Sequence, residues 1–161
     1  MEPEPEGAGE RRLTAEEYDA VRTAVAAVAG RWAGGQECTL NNLLGRWRGV
    51  AADFEDIEGY SWCGPELSND VWCRTALAKV WPLLPARVRQ LRQPELDELD
   101  GRFRAATVPW PGHETEIQWW TWRVPRILAA ERDERYDRGW LMSSGMMPFP
   151  KPDSVDVVPW T

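Results

Sequence analysis

From Thr39 to Gly59 the large apolar residues Leu40, Leu43, Trp47, Val50, Phe54 and Ile57 recur every three or four positions without a miss. At about 100° per residue that spacing predicts a helix with a single buried stripe, which needs a core on one side only. Arg48, Glu55 and Asp56 fall outside the stripe. Thr39 is placed to cap the start of this helix, and Gly59 to end it in a left-handed turn.

The rest of the chain is arranged around this helix. Thr14-Ala15-Glu16-Glu17 has the form of a capping box, and behind it Tyr18, Val21, Val25, Val28 and Trp32 repeat at helical spacing up to Gly34-Gly35. A third helix, capped by Ser68 or Asn69, turns Trp72, Ala76, Val80 and Trp81 inward, and Pro82 and Pro85 stop it. Val88 and Leu91, then Leu96, Leu99, Phe103 and Ala106, slip in phase at Pro94, so two helices or one kinked helix fit equally well. From 108 to 124 the helical period fails and bulky residues crowd together, as a loop or short strand does. In extended form Trp120 and Trp122 would point one way, Trp119 and Arg123 the other. Pro125 suits the first turn of a last helix holding Ile127, Leu128 and Tyr136 and ending at Gly139. The expected fold is all-α, a compact bundle of five or six helices with an irregular Trp-rich segment. Three regions follow: a disordered acidic tail over 1–12, a helical domain over 13–139, and an irregular tail over 140–161 packed on that domain.

Composition changes the picture in two ways. The 161 residues include 11 Trp, 3 Phe and 3 Tyr, a heavily aromatic supply for a chain that is otherwise polar, and large aromatics are mostly buried. The formal charge is −7, and residues 1–60 hold 12 acidic and 6 basic side chains against 14 and 13 in residues 61–161. An acidic surface repels phosphate backbones and anionic lipid, so the expected partner is a basic protein, with no nucleic acid and no membrane. Cys38, Cys63 and Cys73 lack metal-ligand spacing, and there is no apolar run of about 18 residues. The expected location is the cytoplasm, with reduced thiols.

No motif for catalysis stands out. Trp62-Cys63-Gly64-Pro65 has the start of a dithiol redox site, but Glu66 stands where the second cysteine is needed. His113 is the only histidine, and three scattered cysteines do not complete a zinc site with it. The chain has no nucleophile elbow, Gly-rich phosphate loop or paired-histidine motif, so the expected cofactor and metal content is none. Two surfaces remain. On the organising helix Gly45, Gly49, Asp53 and Asp56 fall along one flank beside the core stripe, with Glu55 nearby. Two side-chain-free positions next to carboxylates suggest close approach, either by another helix of this chain or by a partner. Elsewhere, Trp62, Trp72, Trp119 and Trp120 with Glu58, Tyr60 and Arg74 could line a ligand pocket. Glu58, near the edge of the stripe, needs a partner there, and Arg74 is the expected one.

The order of Leu44-x-x-Trp47, Ile57-Glu58-Gly59-Tyr60, Asn69-Asp70-x-x-x-Arg74 and Leu99-Asp100-Gly101-Arg102-Phe103-Arg104-Ala105-Ala106-Thr107 resembles a set of small bacterial helical proteins of immunity-protein type. The resemblance spans roughly residues 40–125. It implies a helical fold and transfers no catalytic residue. The expected function is a protein-binding module, most simply an immunity-type inhibitor neutralising a basic toxin through Asp53, Asp56, Gly45, Gly49 and Glu55. The competing readings are a ligand-binding protein or enzyme using the Trp-lined pocket, and a structural subunit of a larger assembly.

Overall fold

The computed structural model describes residues 12–30, 36–56, 70–112, 117–130 and 153–159. Among them are four α-helices: α1 (Ala15–Ala29), α2 (Leu40–Glu55), α3 (Trp72–Val80) and α4 (Ala86–Ala106). A short 3-10 turn, Trp81–Leu83, joins α3 to α4, and four strands follow: β1 (Thr107–Pro109), β2 (Arg123–Pro125), β3 (Ile127–Ala130) and β4 (Asp156–Pro159). The protein is mostly helical, with four helices among the described residues where five or six were expected, and two small strand pairs beside them.

α1 and α2 both begin with a reciprocal cap. The Thr14 hydroxyl accepts from the Glu17 amide at 3.1 Å while the Thr14 amide donates to the Glu17 carboxylate at 2.8 Å. Thr39 and Asn42 repeat the arrangement at the start of α2. Gly30, at φ +62°, ends α1 earlier than the glycine pair at 34–35 would. α2 stops at Asp56, which turns to extended backbone, rather than running on to Gly59. Ile57, Gly59, Trp32, Ser68, Asn69 and Tyr136 lie outside the described residues; α3 itself starts after Val71 without a side-chain cap.

α2 is central, packing against α4 and α3, while α1 lies on α3. Its stripe is the core the spacing predicts: Leu43 and Trp47 are fully buried and Phe54 is 6% exposed. Leu44 and Ala51 widen it, and Val50 is half-buried. Phe103 of α4 fills the hollow between the two aromatic rings, its ring centroid 4.6 Å from Trp47 and 5.1 Å from Phe54. Burying side chains of this size contributes about 1.5–3 kcal/mol each. On α3 the inward face is Cys73, Ala76, Leu77 and Val80, with Trp72 and Trp81 at its margins.

α4 runs unbroken through Pro94. The phase slip there marks no helix end, because Pro94 is exposed and the carbonyl deprived of its N–H partner belongs to Gln90, another exposed residue. The Trp-rich segment is the loop of a two-stranded ribbon. β1 and β2 are antiparallel, with Thr107 opposite Pro125 and Pro109 opposite Arg123. The expected last helix is not present at its start. Residues 127–130 are β3, paired in parallel with β4, Ile127 opposite Asp156. A backbone committed to the β2 direction at Val124 continues extended, and β4 supplies the hydrogen bonds that a helix would have made internally. The C-terminal stretch thus contains a strand, and Val155 just before it is 1% exposed. Among the described residues no helix is long and apolar enough to cross a membrane.

Candidate functional site

The flank of α2 away from the core is open. Gly45 and Gly49 are exposed, and a methyl group added to either would meet nothing within 4 Å. The intramolecular explanation for two mid-helix glycines, a second helix pressed onto them, is absent among the described residues. Asp53 and Asp56 are exposed one and two turns further on, and Asp53 makes no ion pair among the described residues. Glu55 is engaged, accepting from Arg102 Nε of α4 at 2.8 Å. Arg48 is tied to Glu95 at 3.2 Å, and the Arg46 guanidinium lies 5.8 Å from the Trp72 ring. What remains on the flank is a shallow strip of bare backbone bordered by carboxylates.

The residues expected around a Trp-lined pocket separate into different roles. Glu58, Tyr60 and Trp62 lie outside the described residues. Arg74 does not wait for Glu58. Its Nε and Nη2 clamp the two oxygens of Asp100 on α4 at 2.8 and 2.9 Å, and the pair is nearly buried, with side-chain exposures of 10% and 17%. The Trp47 indole N–H donates to the same Asp100 oxygen at 2.9 Å. Trp120 covers the other side, its ring centroid 4.3 Å from the Arg74 guanidinium and its Nε1 donating to Thr75 Oγ1 at 2.9 Å. This is a satisfied internal network, in which α2, α3, α4 and the ribbon loop share one ion pair. Asp100 was legible in principle: it stands one position after Leu99 and four after Leu96, at the edge of the buried face of α4.

A different cluster forms where α4 ends. The C-terminal carbonyls of α4 are met by arginines of the ribbon. Arg126 Nε donates to the Ala105 carbonyl at 2.7 Å, and Arg123 Nη2 to the Arg104 and Thr107 carbonyls at 3.4 and 3.2 Å. Arg123 Nε also donates to Thr107 Oγ1 at 2.7 Å, while that hydroxyl donates to the Phe103 carbonyl at 2.6 Å. Trp119 is the platform, with the Arg104 guanidinium 3.7 Å and that of Arg123 5.8 Å from its ring centroid. Burial, together with the charges of Arg104 and Arg126, pulls the Arg123 pKa down to about 10. The expected alternation held for one pair only: Trp119 and Arg123 meet, but Trp120 is 4% exposed and Trp122 41%, because residues 119–122 turn rather than extend.

Cys38 and Cys73 are both buried free thiols, and burial pushes the Cys73 thiol up to about 11, which keeps it protonated and unreactive. Cys63 and His113 lie outside the described residues. Between α1 and the start of α2 there is a cleft of about 820 Å³ whose wall includes Tyr18, Val21, Val25, Cys38 and Leu40, with the exposed Arg22 and Glu37 ion pair among its lining residues. Compared with family models, curated proteins and solved structures, the chain matches none of them.

Proposed function

We propose that the chain is a cytoplasmic protein-binding module that docks a basic partner along the exposed flank of α2, in the manner of an immunity-type inhibitor of a toxin. The observation that carries this reading is the open space over Gly45 and Gly49 in the middle of the central helix. Glycine inside a helix costs about 1 kcal/mol relative to alanine, and no packing partner among the described residues accounts for two of them one turn apart. A bare backbone lets a partner's helix or loop come closer than any side chain would allow. Asp53 and Asp56 beside it supply the charge that speeds capture of a cationic surface. An inhibitor of this kind needs no catalytic set, only complementary charge and a rigid support, and the Trp47, Phe54 and Phe103 core directly behind the flank provides the support.

The test uses the full chain as bait in extracts of its native cell, beside a variant carrying Gly45→Arg, Asp53→Lys and Asp56→Lys. A protein of high pI retained by the wild type and lost by the variant, with both baits equally folded by circular dichroism, is the expected result. Equal retention by the two baits, or retention of no protein by either, overturns the reading.

A further inference from the structure

We propose that Arg104 and Arg123, which share the Trp119 ring, and Arg126 beside them at the junction of α4 and the β1–β2 ribbon, form a binding site for an oxyanion, a phosphate or carboxylate group of a small molecule. Three guanidinium groups converge here in a protein whose formal charge is −7. Among the described residues no carboxylate lies within ion-pairing distance of any of them. Two neighbouring acids are engaged elsewhere, Glu55 by Arg102 and Asp100 by Arg74, and Asp156 on β4 makes no ion pair among the described residues.

Capping the end of α4 explains part of this arrangement. A helix C-terminus carries the equivalent of about half a negative charge, however, and three full positive charges exceed it several-fold. The capping bonds also leave most of the donors unused. Each guanidinium has five N–H groups; Arg126 commits Nε, Arg123 commits Nε and Nη2, and the Arg104 guanidinium makes no hydrogen bond among the described residues, resting on the Trp119 face instead. Arg104, in the last turn of α4, gains only the attraction of the helix end, and it is held within the field of Arg123, whose proton it makes easier to lose. Like charges held together, here with no counter-charge among the described residues, cost folding free energy, and such arrangements concentrate where a ligand supplies an opposite charge. The Nη groups of Arg126 and the whole fork of Arg104 make no hydrogen bond among the described residues, and planar forks of this kind suit the bidentate recognition of phosphate and carboxylate. The site lies on the ribbon and the end of α4, so it stands or falls separately from docking on α2.

The measurement is calorimetric titration of the full chain with inorganic pyrophosphate and, separately, citrate, against sodium chloride at matched ionic strength, accompanied by melting curves. Saturable heat and a raised Tm with either anion beyond the chloride control are expected, and whichever binds more tightly identifies the class of oxyanion. Arg104→Gln leaves every capping bond in place and should weaken binding by about tenfold or more, the worth of one charged hydrogen bond. Arg104→Gln with Arg126→Gln should abolish it, with the Trp119 indole resonance no longer moving on titration. Neither anion differing from chloride, or Arg104→Gln binding as tightly as the wild type, overturns the proposal.

Discussion

Arg74 and Asp100 show how much one buried pair can hold together. Their charges are nearly removed from water, and the cost is offset because both oxygens of Asp100 are used, one by Arg74 Nε and the Trp47 indole N–H, the other by Arg74 Nη2. Removing either partner leaves the other charged and desolvated. Asp100→Asn and Arg74→Met should each cost about 3–5 kcal/mol, and the double variant less than the sum, a coupling that a denaturant double-mutant cycle measures. Additive losses would place the pair in contact with solvent. Trp47→Ala and Phe54→Ala, which open holes on either side of Phe103, should likewise lower stability by about 3–5 kcal/mol. Unchanged denaturation midpoints would contradict the burial of both rings.

Among the elements, α4 carries a proline and α2 carries glycines where a helix would do better without them, and the two cases differ in meaning. Pro94 deprives the Gln90 carbonyl of a partner, on an exposed side where water replaces it. Pro94→Ala restores the bond and should stabilise the protein by about 1–3 kcal/mol, less whatever the proline gains by restricting the unfolded chain. Gly45→Ala and Gly49→Ala meet no obstruction and should each stabilise by about 1 kcal/mol in thermal melts. A loss of stability at either glycine would mean that something does lie over the flank. Combined with partner capture, this gives a useful separation: alanines that raise Tm while weakening capture mark positions kept for docking rather than for folding.

At the scale of the molecule, charge links the helices to solution conditions. Glu17 is held below its ordinary value of 4.5, first by the Thr14 backbone N–H and then by the Arg87 guanidinium that reaches across from α4. Because its folded pKa is depressed, its ionisation contributes stability above the unfolded value and loses it as pH falls through the folded value. Melting curves of wild type and Glu17→Gln should therefore differ at pH 6 to 7 and converge as pH falls below the unfolded value and on through the lower folded one. A constant difference across that range would show that the α1–α4 tie does not depend on the charge of Glu17. Arg123 works in the opposite sense: its depressed pKa means that its charge opposes folding at neutral pH, a cost that lapses as pH rises through about 10. An oxyanion bound among the three arginines would remove the same cost without any change in pH.

Local pattern determined the helices and much of the core. The stripe on α2, the caps at Thr14 and Thr39, and the burial of Trp47 and Phe54 all depend on spacings of three or four residues, which the chain carries wherever it is placed. The continuity of α4 depended on which side of the helix Pro94 faced, and that is set by packing rather than by the residue. β3 became a strand because β4, some thirty residues further along, supplied its partner, and no local period in Ile127, Leu128, Ala129 and Ala130 announces that. The site residues divide in the same way. The α2 flank could be read from helical phase alone, whereas Arg74 found Asp100 across 26 positions, and Arg104 and Arg123 came together over Trp119 only through the ribbon. Charge partners are chosen by proximity in space, and only the tertiary structure decides which charges become neighbours.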